Sequence, residues 1–164
     1  MAFELLDGPR IERRDGAPTL GIRVVTPFRG MLGVRDSLLR ELADWLEEHE
    51  VEPDGPCFLR LHTVDMARDM DIEVGVVSGA DAASDRVHRG SMPGGEYGIL
   101  AYRGGSLQAN RLLLHDIPDR GRRFDADLAT GRWAGRFELL RTDSRSEPRK
   151  TAWTIELAFL LAPE

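Results

Sequence analysis

The stretch Trp153-Thr154-Ile155-Glu156-Leu157-Ala158-Phe159-Leu160-Leu161 decides how the rest of the chain is read. Its β-branched and aromatic content and its length make it a strand. Period-2 geometry puts Trp153, Ile155, Leu157, Phe159 and Leu161 on one face and Thr154, Glu156, Ala158 and Leu160 on the other. Both faces are largely apolar, so both are expected to be covered. Glu156 is then a lone carboxylate in an apolar strand, and burying it costs several kcal/mol unless it is paired or neutralised. Either it has an internal partner such as an arginine, or it is kept for a ligand.

The chain contains this strand twice. Asp71-Ile72-Glu73-Val74-Gly75-Val76-Val77 aligns with Thr154 to Leu160 at an offset of 83, which places Glu73 where the second copy has Glu156. Upstream, Thr19-Leu20-Gly21-Ile22 answers Glu96-Tyr97-Gly98-Ile99 at an offset of 77. Each half reads strand, helix, strand, strand. Two units are too few for a solenoid, so the expectation is one α+β domain over residues 1–164. It is a duplicated module with pseudo-two-fold symmetry: repeat one at 10–79, a linker at 80–90 and repeat two at 91–162.

A chain of 164 residues with 41% hydrophobic and 30% charged side chains is an ordinary globular protein, able to bury roughly 70% of its unfolded surface. No apolar run is long enough to span a membrane. The N-terminus has acids and no basic region, so no secretory signal is expected. Cys57 is the only cysteine, which excludes an internal disulfide and a thiolate cluster and fits a reducing cytoplasm. The net charge of −6 argues against direct nucleic-acid binding. It is divided as −8 over residues 1–82 and +2 over 83–164. Lys150 is the only lysine, which makes a Schiff-base enzyme improbable.

Taken in order, Arg10 to Arg14 reads as a short edge strand after a lead-in closed by Gly8-Pro9. Leu20 to Phe28 is the first strand of repeat one. Val34, Leu38, Leu42, Trp45, Leu46 and His49 give residues 33–49 a helical period. Cys57 to Val64 and Met70 to Ser78 form an antiparallel pair. Glu96 to Tyr102 opens the second repeat, followed by a helix over 105–117. Pro118 stops that helix or opens another, and Phe124 and Leu128 suggest a continuation over 119–130. Trp133 to Thr142 is the penultimate strand.

The four histidines have no metal-ligand spacing, and phosphate loops, dinucleotide fingerprints and nucleophile elbows are absent. No cofactor and no metal are therefore expected. What remains is Glu73 and Glu156 with a set of aromatics. A cavity walled by rings with a carboxylate at its base suits a flat organic cation: the rings supply cation–π attraction, the carboxylate the counter-charge. The same parts could do general acid–base work, because burial raises a carboxyl pKa. Alternation puts Trp153 and Glu156 on opposite faces, so they do not line one pocket.

Three pieces resemble the GyrI-like (gyrase-inhibitor-like) small-molecule-binding family, also found as the effector domain of multidrug-sensing regulators. Met92-Pro93-Gly94-Gly95-Glu96-Tyr97-Gly98-Ile99-Leu100-Ala101-Tyr102-Arg103-Gly104 is similar to its proline–glycine–glycine turn, aromatic strand and glycine before the second helix. Phe137-Glu138-Leu139-Leu140-Arg141-Thr142-Asp143 is similar to its penultimate strand, and Trp153-Thr154-Ile155-Glu156-Leu157 to its last. The resemblance spans residues 10–162 and implies two helices flanking a groove over an antiparallel sheet, with Glu156 as the ligand-facing carboxylate.

Family members bind bulky, often cationic aromatic compounds, and some stand-alone members are reported as hydrolases of cyclopropane-containing toxins. The expectation is a stand-alone cytoplasmic module that binds a hydrophobic, cationic aromatic compound between the repeats. Glu156 is its central anion, Glu73 a second, and Tyr97, Tyr102, Trp133 and Phe137 its walls. The alternatives are a hydrolase of strained electrophilic, cyclopropane-containing toxins that uses the same glutamates, and a protein-interaction module.

Overall fold

A computed structural model describes residues 2–164. The elements run β1 (Glu4–Arg14), β2 (Ala17–Pro27), α1 (Met31–Glu48), β3 (Cys57–Thr63), β4 (Asp69–Val77), β5 (His88–Met92) and β6 (Gly95–Arg103). They continue with α2 (Ser106–Asp119), β7 (Ala126–Asp127), β8 (Arg132–Trp133), β9 (Arg136–Leu140), a 3-10 turn at Lys150–Ala152 and β10 (Ile155–Leu160). The strands form one antiparallel sheet in the order β1-β6-β10-β9-β3-β4-β2-β5, with the short β7–β8 pair attached to β3. This is the expected α+β architecture.

The strand order reads the same from either edge. At the centre, β3 and β9 pair as Phe58↔Leu139, Leu59↔Glu138 and Arg60↔Phe137. A two-fold axis through the Leu59–Glu138 pair exchanges Phe58 with Phe137 and Arg60 with Leu139. The outer strands cross over: β1 pairs with β6 and β5 with β2, so each half lends its leading strand to the other.

The pairing register also adjusts the correspondence between the halves. Arg23 opposes Glu73 and Ala101 opposes Glu156, so Arg23 and Ala101, 78 positions apart, are equivalent. Matching Gly21 to Gly98 is therefore one residue out, and a one-residue slip changes the face. A Cβ on Gly21 would meet the Glu73 carboxylate, whereas a Cβ on Gly98 would lie 2.9 Å from Ile117 of α2. Gly98 lets the helix seat directly on the sheet.

Both helices lie on one face. α1 buries Met31, Leu38, Leu42, Trp45 and Leu46 and rests on β2 and β4; α2 buries Ala109, Leu113 and Ile117 and rests on β6 and β1. The strip β10-β9-β3 is left between them. The helix-side core takes Leu20, Ile22, Ile72, Val74, Leu100, Tyr102, Leu157 and Phe159, while Phe58, Tyr97, Ile99, Phe137, Leu139, Ala158 and Leu160 form a smaller core on the far face. The last strand therefore divides as its alternation requires.

Three segments differ from the sequence reading. The edge strand begins at Glu4, with register shifts around Leu5, Asp7 and Arg10. Residues 88–92, read partly as linker, are the edge strand β5, whose mostly exposed side chains carry no apolar alternation to detect. Residues 119–130 do not continue the helix. Gly121 has a positive φ of 76°, which reverses the chain after Asp119, and Phe124 is drawn into a cluster with Trp133 and Phe159. The penultimate strand is likewise broken between Trp133 and Arg136.

Candidate functional site

The glutamates expected to bind ligand both lie on the far face, and both have partners. Glu156, 7% exposed, receives a hydrogen bond from Arg141 Nη2 at 2.9 Å on Oε2. Arg14 Nη1 stands 2.6 Å from Oε1, a close ion pair whose angle falls short of a well-directed hydrogen bond. Glu73 Oε1 is 2.8 Å from His62 Nε2. Across the two-fold axis His62 and Arg141 occupy matching places on β3 and β9, so the two pairs are the same contact made twice. Glu156 is thus ion-paired by two arginines and Glu73 hydrogen-bonded by a histidine within the protein.

Tyr97 and Phe137 share this far face. Tyr97 donates its hydroxyl to Pro93 O at 2.5 Å, and burial pushes its phenol pKa up to about 12. Phe137 is fully buried, edge-on to Phe58 at 5.4 Å and under the Arg60 guanidinium at 5.0 Å. Arg60 closes this core by donating to Ser91 O and Ala134 O. These rings are packed by the protein itself.

Tyr102 and Trp133 lie on the helix side, where Trp133 packs on Phe124 and Phe159, and Tyr102 comes within range of the charge of a carboxyl that the sequence does not single out. Glu138 of β9 faces the groove between α1 and α2. Along its cross-strand row stand Leu59, Leu157 and Leu100, and Arg136 and Leu140 are its same-face neighbours along β9. Among the described residues it has no hydrogen-bond or ion-pair partner. Burial in these leucines raises its pKa above the ordinary glutamate range, more than the charges of Arg35 and Arg136 lower it. Some surface remains accessible, so the carboxyl is half-buried yet lies among apolar groups.

The surroundings hold two more polar groups. Arg136 Nε is buried without a hydrogen-bond partner, and the Tyr102 hydroxyl is buried with only the Ser106 side chain beside it. Burial, and next the Glu138 charge, push the Tyr102 phenol to about 12. Buried polar groups in folded proteins are nearly all satisfied; the same lack recurs away from the groove at Trp45 Nε1, Arg60 Nε and Glu156 Oε1. Arg35 of α1 stacks on Trp153 at 5.3 Å and pairs with Asp36 at 2.9 Å, while Asp36 also holds Lys150.

Two hollows of about 470 and 530 Å³ open along α1, against the segment 142–153. Leu39, Ala43, Ser144 and Arg145 line both; Cys57 and Leu140 floor the first, and Trp153 walls the second. Glu138 lies one cross-strand row beyond Leu140. Neither hollow is lined by Glu138, Tyr102, Trp133 or Arg136.

Glu138 lay inside the quoted Phe137-to-Asp143 stretch but carried no signal. The repeat directed attention to glutamates that occur twice, and the two-fold mate of Glu138 is Leu59.

No family model matches the sequence, and no curated protein matches it. Solved structures do match. The EcmrR C-terminal domain aligns over 100% of both chains with a TM-score of 0.68 at 14% identity. In an EcmrR–DNA complex the TM-score is 0.72 at 14% identity, over 99% of this chain and 58% of the EcmrR chain, so this chain spans little more than half of that protein. SAV2435 bound to tetraphenylphosphonium gives a TM-score of 0.61 at 11% identity, over 99% and 94% of the two chains. A hydrolase from Listeria innocua gives 0.57 at 13% identity, over 93% and 91%. At these identities what is shared is the fold: the chain has the α+β fold of the EcmrR C-terminal domain, consistent with the GyrI-like resemblance.

Proposed function

We propose that this chain binds a flat, hydrophobic, cationic small molecule in the groove between α1 and α2, with Glu138 as the counter-charge and Tyr102 and Trp133 among the walls. The observation that carries this reading is the Glu138 carboxyl, set in apolar surroundings with no partner of its own. A protein tolerates that cost where a ligand supplies the missing charge. Aromatic rings beside it favour a cation with an apolar body. That SAV2435, of the same fold, binds tetraphenylphosphonium supports the ligand class. On this reading Glu73, Glu156, Tyr97 and Phe137 hold the sheet together rather than contact the ligand, and the two halves act as one binding domain.

The test is thermal stabilisation by tetraphenylphosphonium and by neutral triphenylphosphine oxide. At a hundredfold excess over the dissociation constant a ligand stabilises by about 2.7 kcal/mol. The cation should raise the melting point of the parent protein and of Glu156→Gln, and of Glu138→Gln much less. Equal stabilisation of Glu138→Gln would remove Glu138 from the site.

The raised Glu138 pKa also supports a second reading, because a carboxyl that keeps its proton to higher pH than an ordinary glutamate can act as a general acid on a strained electrophilic ring. Turnover of such a substrate, abolished in Glu138→Gln, distinguishes the enzyme from the binding protein.

A further inference from the structure

The aromatic corner of the groove already holds a cation. The Arg136 guanidinium lies 4.5 Å from the Trp133 ring centroid and 4.6 Å from that of Phe159, and the two rings meet at 64°. Arg136 is only 6% exposed. Among the described residues it has no carboxylate partner: Nη2 donates to Asn110 Oδ1 of α2 at 3.1 Å, and Nε donates to nothing. The nearest acid along its own strand face is Glu138, two residues on, which it does not touch. A desolvated guanidinium without an ion pair is costly to keep, and cation–π contact with two rings recovers only part of that cost.

We propose that Arg136 is a built-in competitor for the ligand site: it occupies the Trp133–Phe159 corner when the groove is empty and is displaced when a ligand cation enters. This rests on the reading of the groove as a cation site. Displacement returns a buried guanidinium to water, so the exchange recovers hydration while the ligand takes over both rings and the neighbouring Glu138. Small hydrophilic cations, which have little apolar surface to add, would not displace it. Bulky aromatic cations would. Arg136 thereby sets the affinity threshold and the selectivity of the site.

The experiment is isothermal titration of tetraphenylphosphonium and of triphenylphosphine oxide into the parent protein, Arg136→Met, Asn110→Ala and Glu138→Gln. Arg136→Met removes the resident cation from the corner, and Asn110→Ala frees Arg136 from its anchor without removing it. Both should bind the cation more tightly, by about tenfold for Arg136→Met, the equivalent of one cation–π contact. Affinity for the neutral oxide should change little. In the parent protein the Arg136 Nε–H resonance should move on cation binding.

Cation binding that depends on Glu138 but is unchanged or weaker in Arg136→Met would overturn the displacement and leave the groove reading intact. Binding by Arg136→Met alone would show that Arg136 blocks the corner without being displaced, and would overturn the exchange. If the folded Arg136→Met protein binds no cation either, the emptied corner takes none, and both readings fall.

Discussion

The two faces of this sheet treat a carboxylate in opposite ways. On the far face, Glu73 and Glu156 border a small aromatic core, and each is met by a basic side chain three residues past the central Leu59–Glu138 pair, His62 in one half and Arg141 in the other. On the helix face, Glu138 stands among leucines with no such partner, although Arg35 and Arg136 are close enough for their charges to be felt. Burial alone therefore does not distinguish a structural acid from a functional one. The distinction is whether the fold supplies the compensating charge. Where it does, removing the acid harms the fold; where it does not, removing the acid helps the fold and harms whatever the acid was kept for.

The sharpest way to break that contrast is at the far-face aromatics. Phe137→Ala should cost about 3–5 kcal/mol, the usual cost of truncating a fully buried phenylalanine, read as a lower urea midpoint. A loss under about 1 kcal/mol would mean that Phe137 faces a cavity rather than Phe58. Next, Glu156→Ala should cost about 2–3 kcal/mol, because it strands Arg14 beside an apolar core; Arg141 is exposed enough to turn to water, which keeps the figure below that for a fully buried pair. The double change Arg14→Met with Glu156→Met should recover most of this.

On the opposite face the sign should reverse. Glu138→Gln should stabilise the unliganded protein by about 1–2 kcal/mol at neutral pH, since it removes an uncompensated buried charge. The pH dependence follows from the raised pKa. Folding takes up a proton at Glu138 wherever the folded group is protonated and the unfolded one is not. Its contribution is complete below the ordinary glutamate range near 4.5 and is lost as pH rises through the higher folded value. Unfolding free energy of the parent protein should thus decline over that window relative to Glu138→Gln, and parallel curves would show that the carboxyl is solvated.

The smallest effect is expected from the first-half copy of the far-face pair. His62→Gln should cost under about 1 kcal/mol, because a neutral donor can keep the hydrogen bond to Glu73. A larger loss would show that the two pairs are not equivalent.

Much of the fold was legible because its evidence is local. The helical period from Val34 to Leu46, the alternation from Trp153 to Leu161 and the turn residues between them depend on neighbours a few positions away. The edge strand His88–Met92 escaped because an exposed strand carries no alternation. The extension past Pro118 failed because Gly121 and the packing of Phe124 outweighed a weak four-residue spacing. The site was less legible for a different reason. All four candidate rings are buried: Tyr102 and Trp133 lie in the helix-side core, whereas Tyr97 and Phe137, with the same chemistry, lie in the core of the far face.

By itself the sequence determined the two helices and the main strands, the division of the last strand into two sets, and the conclusion that Glu156 needed either an arginine or a ligand. Tertiary structure alone decided between those two. Arg14 reaches Glu156 from the opposite end of the chain, through a leading strand that crosses to the other half, and Arg141 reaches it from the adjoining strand. Alternation states which residues share a face, but not which face the helices cover or which charges distant strands deliver. That is why Glu138 emerged as the candidate only once the sheet, with α1 and α2 on one side of it, was assembled.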